Sequence, residues 1–278
     1  MRLRGIRRSG NVEDRRGMRM GGVGGVGIVG VLAIFAISYF TGIDLTPLLT
    51  GQGAPQQQTS RELTAEEEQA ADFPAQVLTT TEQVWADVFS RQVDGDYVPP
   101  TLVLFSDVTQ SQCGGASGAT GPFYCPIDRK AYLDLSFFTT LERQLGAEGD
   151  FAAAYVIAHE VAHHVQNLLG TLPQVNRARQ QASETEANAL TVRLELQADC
   201  YSGIWASHVD NLLEPGDIEE ALNAARKIGD DHLQRQAGRV PQPHTFTHGT
   251  SEQRARWFKR GYDTGDLAAC DTFNTDRL

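Results

Sequence analysis

Positive charge is scarce over most of this chain. Residues 1–43 hold seven arginines against Glu13 and Asp14, a net of +5, so the −11 of the 278-residue chain leaves −16 on residues 44–278. So acidic a body excludes nucleic acid as the main partner, because phosphate binding needs clustered Lys and Arg. Cysteine is sparse as well. The four present, Cys113, Cys125, Cys200 and Cys270, show no CxxC spacing, which excludes a thiolate metal site of that kind. No internal repeat is present, and no feature marks a sugar-binding cleft.

Charge is missing altogether between Gly21 and Ile43, "GGVGGVGIVGVLAIFAISYFTGI". Those 23 residues suffice to cross a hydrocarbon core of ~30 Å at ~1.5 Å per residue. Arginines before the run and none just after it favour a cytoplasmic N-terminus. A cleaved signal peptide is the rival reading, but its apolar core is normally ~7–15 residues with small residues at the cleavage site, and "SYFTGIDLTP" fits poorly. The expected layout is a basic cytoplasmic arm at 1–20, a single transmembrane anchor at 21–43, a tether at 44–62 and one extracytoplasmic domain at 63–278. The tether includes the polar "GQGAPQQQTS" of 51–60.

Outside the cytoplasm disulfides persist. Four cysteines allow three pairings. Cys113 and Cys125 flank the glycine-rich "CGGASGATGPFYC", so a local bridge is expected there and Cys200–Cys270 would then tie the C-terminal tail to the body. Free buried thiols are the alternative.

Within the domain, "TAEE" opens a helix with a capping box, Thr64 with Glu67, running to about Arg91 and broken at Phe73 ahead of Pro74. "TLVLF" (101–105) reads as a buried strand, and "GPFYC" and "KAYLDLSFF" as two more around the turn "PIDR". Helical signals dominate from residue 136: 151–169, 178–209, one starting at Asp217 with a capping box to Glu220, and one starting at Ser251. The fold class is therefore α+β, mostly helical with a small sheet.

One helical segment, "AYVIAHEVAHHVQNLLG" (154–170), sets three histidines and a glutamate in an apolar run. His159 and His163 stand four apart, hence one turn apart on one face, where two imidazoles can reach one Zn²⁺ at ~2.0–2.1 Å. Glu160 lies ~100° round the helix, placed to act on a water beside the metal as general base, the H-E-x-x-H arrangement. A catalytic zinc wants a third protein ligand and an open position. "LELQADC" offers Glu195 as that ligand, and Asp199, one turn on, as acceptor for the second N–H of a ligating histidine. A solvated acidic stripe is the alternative for this pair. His164, ~140° from His159, is expected off the metal face. His248 and Arg254 are candidates to stabilise an oxyanion, or else to anchor the last helix, and His244 and Tyr155 are weaker candidates. Tyr132 and Asp134 would either line an edge strand for an extended peptide or simply pack.

The pattern HEVAH followed by E-L-Q-A-D resembles the gluzincin type of zinc metallopeptidase. "GPFYCPIDRKAYLDLSFF", "AYVIAHEVAHHVQNLLG", "ELQADCYSGIWA" and "THGTSEQRARWF" together resemble the bacterial putative neutral zinc metallopeptidase family over residues 60–275. The resemblance implies a zincin-like domain with one zinc ion, held by His159, His163 and Glu195, that hydrolyses protein or peptide substrates with Glu160 as base. A zinc-stabilised binding or chaperone-like module without catalysis is the alternative, and hydrolysis of a cell-wall amide ranks third.

Overall fold

The computed structural model describes residues 1–19, 59–117 and 120–278. In chain order the elements are β1 (Val12–Asp14), β2 (Met18–Arg19), β3 (Thr59–Ser60), α1 (Ala65–Ala70), α2 (Asp72–Gln92), β4 (Thr101–Phe105), β5 (Val108–Ser111), β6 (Gly114–Ser117), β7 (Phe123–Cys125), β8 (Lys130–Asp134), α3 (Ser136–Arg143), α4 (Asp150–Leu168), α5 (Thr171–Arg179), α6 (Glu184–His208), α7 (Asp217–Lys227), α8 (Asp230–Gln236) and α9 (Ser251–Thr264), with short 3-10 turns between some of them. The expected α+β class, mostly helical with a small sheet, is what these elements make. The transmembrane span expected at 21–43 and most of the tether lie outside the described residues. Among the described residues no helix is long and apolar enough to cross a membrane.

Four strands form the main sheet in the order β1-β4-β8-β7, with β4 parallel to both β1 and β8, and β7 antiparallel to β8. "TLVLF" is an unbroken apolar run because both of its faces are covered. Leu102 and Leu104 join the main core, while Val103 and Phe105 point the other way into a small cluster with Cys125 and Tyr132. β8 is interior, so Tyr132 and Asp134 do not line an edge. Tyr132 stacks on Phe123 and donates to Asp128, and Asp134 accepts from the backbone of Asp107 and Ser136. The edges are β7 and β1.

β1 falls within residues 1–20, expected as a basic cytoplasmic arm, and it belongs to this sheet. Val12, Glu13 and Asp14 pair with Leu102, Val103 and Leu104, and Met1 and Leu3 are buried in the main core. A three-residue strand with two acids shows no alternation, so it left no periodic signal. Its arginines are partly neutralised close by: Arg15 pairs with Glu13, Arg16 with Asp14 and Arg8 with Asp72.

Helix α4 is the axis of the molecule. Residues 151–159 and 161–166 are buried all round, as a helix enclosed on every side must be. Gly170, at φ 81, ends it in the left-handed conformation that glycine adopts at low cost. Several boundaries differ from expectation. The α1–α2 break falls at Ala71, and Pro74 sits in the first turn of α2, where a missing N–H costs nothing. The segment 178–209 divides because α5 runs to Arg179 and α6 starts afresh at a Ser183–Glu186 capping box. The Asp217–Glu220 box does not form; Glu220 instead accepts the backbone N–H of Phe151 in the first turn of α4. The last helix is capped by Thr250 with Gln253. Both disulfides fall as expected, Cys113–Cys125 and Cys200–Cys270.

Helices α6 and α9 cross at two glycines. A Cβ on Gly203 would strike the Phe258 carbonyl, and one on Gly261 the Cys200 carbonyl. Neither obstacle is a side chain that can swing aside. Gly261→Ala is therefore expected to lower the unfolding free energy by roughly 1–3 kcal/mol, as overpacked cores do, read as a lower urea midpoint at unchanged slope.

Candidate metal centre

His159 and His163 project from the middle of α4, and Glu195 from the facing turn of α6. One oxygen of Glu195 lies 3.1 Å from His159 Nε2 and the other 3.4 Å from His163 Nε2. Ligand atoms of all three residues fall within 4.8 Å of one another. Four ligands arranged tetrahedrally at ~2.0 Å from a zinc ion stand about 3.3 Å apart, so these side chains fit such an ion by spacing as well as by chemistry.

The outer ring nitrogens are held as ligating histidines require. His159 Nδ1 donates to Asp199 at 2.9 Å, and His163 Nδ1 donates to Gln166 Oε1 at 2.9 Å. Each bond fixes the tautomer that leaves Nε2 with its lone pair toward Glu195. Gln166 is itself anchored, donating to the Leu194 carbonyl and to Gln197. Sequence reasoning missed Gln166, although its place three residues after His163 puts it on the same helix face.

Asp199 is fully buried and accepts from four directions: His159, Tyr155 at 2.5 Å, and Arg254 through Nε and Nη2, both at 2.9 Å. Arg254 thus serves Asp199 rather than standing free in the cleft, which answers the choice between an oxyanion group and an anchor. Burial works against the Asp199 charge, but Arg254 and His159 outweigh it and hold the carboxyl below its usual range. Burial likewise opposes a charge on His159, yet Asp199 and Glu195 raise that ring to about 10. A field that grips a proton so firmly also grips a divalent cation in its place.

Glu160 opens onto a cleft of about 560 Å³ that also exposes His159, His163, Glu195 and His248. Its carboxylate has no hydrogen-bond partner among the described residues, and desolvation lifts it above the usual carboxylate range. Its lining includes Phe123 and Tyr124 of the edge strand β7 and the apolar Val156, Ile228 and Leu233, together with Asn176 and Arg179. His248 is half exposed and held through its backbone and Nδ1 by Asp230. His244 is not among the lining residues.

His164 points away from the metal face, as expected. It is buried, accepts from the Tyr124 hydroxyl at 2.9 Å and donates to the Val98 carbonyl at 2.7 Å. Burial pushes it down to about 4, so it stays neutral and clamps β7 to α4.

An α+β domain that aims two imidazoles and a carboxylate at one point, with a second glutamate on the open side, has the makings of a metal-dependent hydrolase. Comparison of the whole sequence carries this further: the chain belongs to the putative neutral zinc metallopeptidase family, whose model matches residues 1–273. It is 49% identical to Uncharacterized protein YpfJ of Escherichia coli strain K12, over 98% of this chain and 99% of that one. It is also 46% identical to Uncharacterized protein Rv2575 of Mycobacterium tuberculosis strain H37Rv, over 66% of this chain and 65% of that one. No solved structure matches it significantly.

Gln166→Ala should weaken zinc binding about 10- to 100-fold, the usual effect of removing an outer-shell partner. Competition with a chromophoric chelator measures it, and affinity equal to that of the unaltered chain would remove Gln166 from this role.

Proposed function

We propose that this protein is a membrane-associated zinc endopeptidase of zincin-like fold, with one zinc ion per chain and proteins or peptides as substrate. The convergence of His159 Nε2, His163 Nε2 and Glu195 beside a Glu160 carboxylate without a hydrogen-bond partner among the described residues carries the reading. His159, His163 and Glu195 would hold the ion, which when bound supplies Lewis acidity and lowers the pKa of a water toward ~7.

The chain's own groups do the rest. Glu160 takes a proton from the water that attacks the scissile carbonyl and returns one to the leaving amine. Its raised pKa brings it closer to the range in which both transfers are efficient. His248, which lines the same cleft, would steady the carbonyl oxygen as charge gathers there. Asp199 and Gln166 keep the two rings aimed. Edge strand β7 offers unpaired backbone groups beside Glu160, suited to an extended peptide added as a further strand. The apolar run 21–43 would attach the chain to a membrane, and the two disulfides favour a domain outside the cytoplasm.

Glu160→Gln should retain zinc and lose peptide hydrolysis by at least ~10²-fold, the lower end for a general base. Metal analysis together with casein cleavage tests this, and near-normal turnover with bound zinc would remove Glu160 as the base. A parallel digest of purified peptidoglycan should stay intact.

A further inference from the structure

The membrane reading acquires a constraint from the first nineteen residues. These are built into the domain by backbone as well as side-chain bonds. β1 pairs in parallel with β4, the Leu102 N–H donates to Asn11, and the Arg15 N–H donates to Leu104. Met1 and Leu3 fill the main core. Ser9 bonds to Ala75 of α2, and Lys130 of β8 reaches Glu13 at 2.6 Å. A segment held this way is on the same side of any membrane as the strands and helices that hold it.

The pairing of β2 with β3 fixes where the chain leaves and rejoins the domain. Met18 stands opposite Ser60 and Arg19 opposite Thr59, which brings the two ends of residues 20–58 to about 4.8 Å, the spacing of adjacent strands. A single crossing by 21–43 would carry the chain some 30 Å away to the opposite face. To regain Thr59, residues 44–58, "DLTPLLTGQGAPQQQ", would have to cross back. That stretch carries Asp44, two prolines and four glutamines, and its backbone polar groups would find no partners in hydrocarbon.

We propose that residues 1–19 and the domain occupy one and the same face of the membrane. The inference rests on the membrane association proposed above and not on peptidase activity. The arginines that suggested a cytoplasmic arm have another use here. Arg2 donates to the carbonyls of Asn211 and Leu213, Arg8 pairs with Asp72, Arg15 donates to the Gln110 carbonyl and Arg16 to the Glu67 carbonyl. They hold the segment to the domain, so their number is not a vote on orientation. With the disulfides on the oxidising side, the shared face is the outer one.

The test uses the full chain in bacterial membranes. All four native cysteines are paired, so a single added thiol reports its own side. Arg4→Cys marks the N-terminal segment and Val240→Cys the domain, both at exposed positions. In intact spheroplasts, a membrane-impermeant maleimide should label both variants equally, with no gain on permeabilisation. Labelling of one and protection of the other would overturn the proposal. Protection of both would uphold the shared face and move it to the cytoplasmic side. Recovery of the chain in the carbonate-soluble fraction would overturn the membrane reading and the shared face with it.

Discussion

Asp199 carries a negative charge at a point with no access to solvent, and desolvating a carboxylate costs several kcal/mol unless partners replace the lost water. Here Arg254, Tyr155 and His159 do so, and they come from α9 and α4 while Asp199 itself belongs to α6. One carboxylate thus fixes three helices to one another. Its bond to His159 aims the Nε2 lone pair, and its bonds to Arg254 secure the helix behind it.

Around that centre the protein sorts polar groups by whether they are satisfied. His164, Gln166 and Asp199 are buried with partners and hold still the things they touch: β7, His163 and His159. Glu160 is beside them with an unpartnered carboxylate and an elevated pKa. Stability does not explain such a group, since an unpaired carboxylate at the edge of a core costs free energy. Placed next to the candidate metal triad and an edge strand, it has the environment of a proton-transfer group.

The N-terminal residues show how a local pattern can serve a tertiary partner that is far away in sequence. Seven arginines ahead of an uncharged run resemble an orientation signal. In the folded chain several of them are docking contacts, and the strand they flank completes a sheet whose other members begin almost ninety positions later.

Much of the candidate site was legible because helical periodicity is a local property. His159, Glu160 and His163 follow from spacing alone, and Glu195 with Asp199 from the same rule plus the need for a third ligand. Capping boxes at Thr64 and the buried run "TLVLF" were readable for the same reason: each is decided within a few residues. Other features depend on contacts between distant segments. Glu220 abandoned its expected box for the start of α4, Arg254 turned to Asp199, β8 became interior, and β1 joined a sheet despite having no strand pattern. Residue order sets which groups share a helix face, since that needs only 3.6 residues per turn. Which faces meet, and so which charges are paired or left open, is decided by packing, because the cost of a buried charge depends on neighbours that only the folded chain brings near.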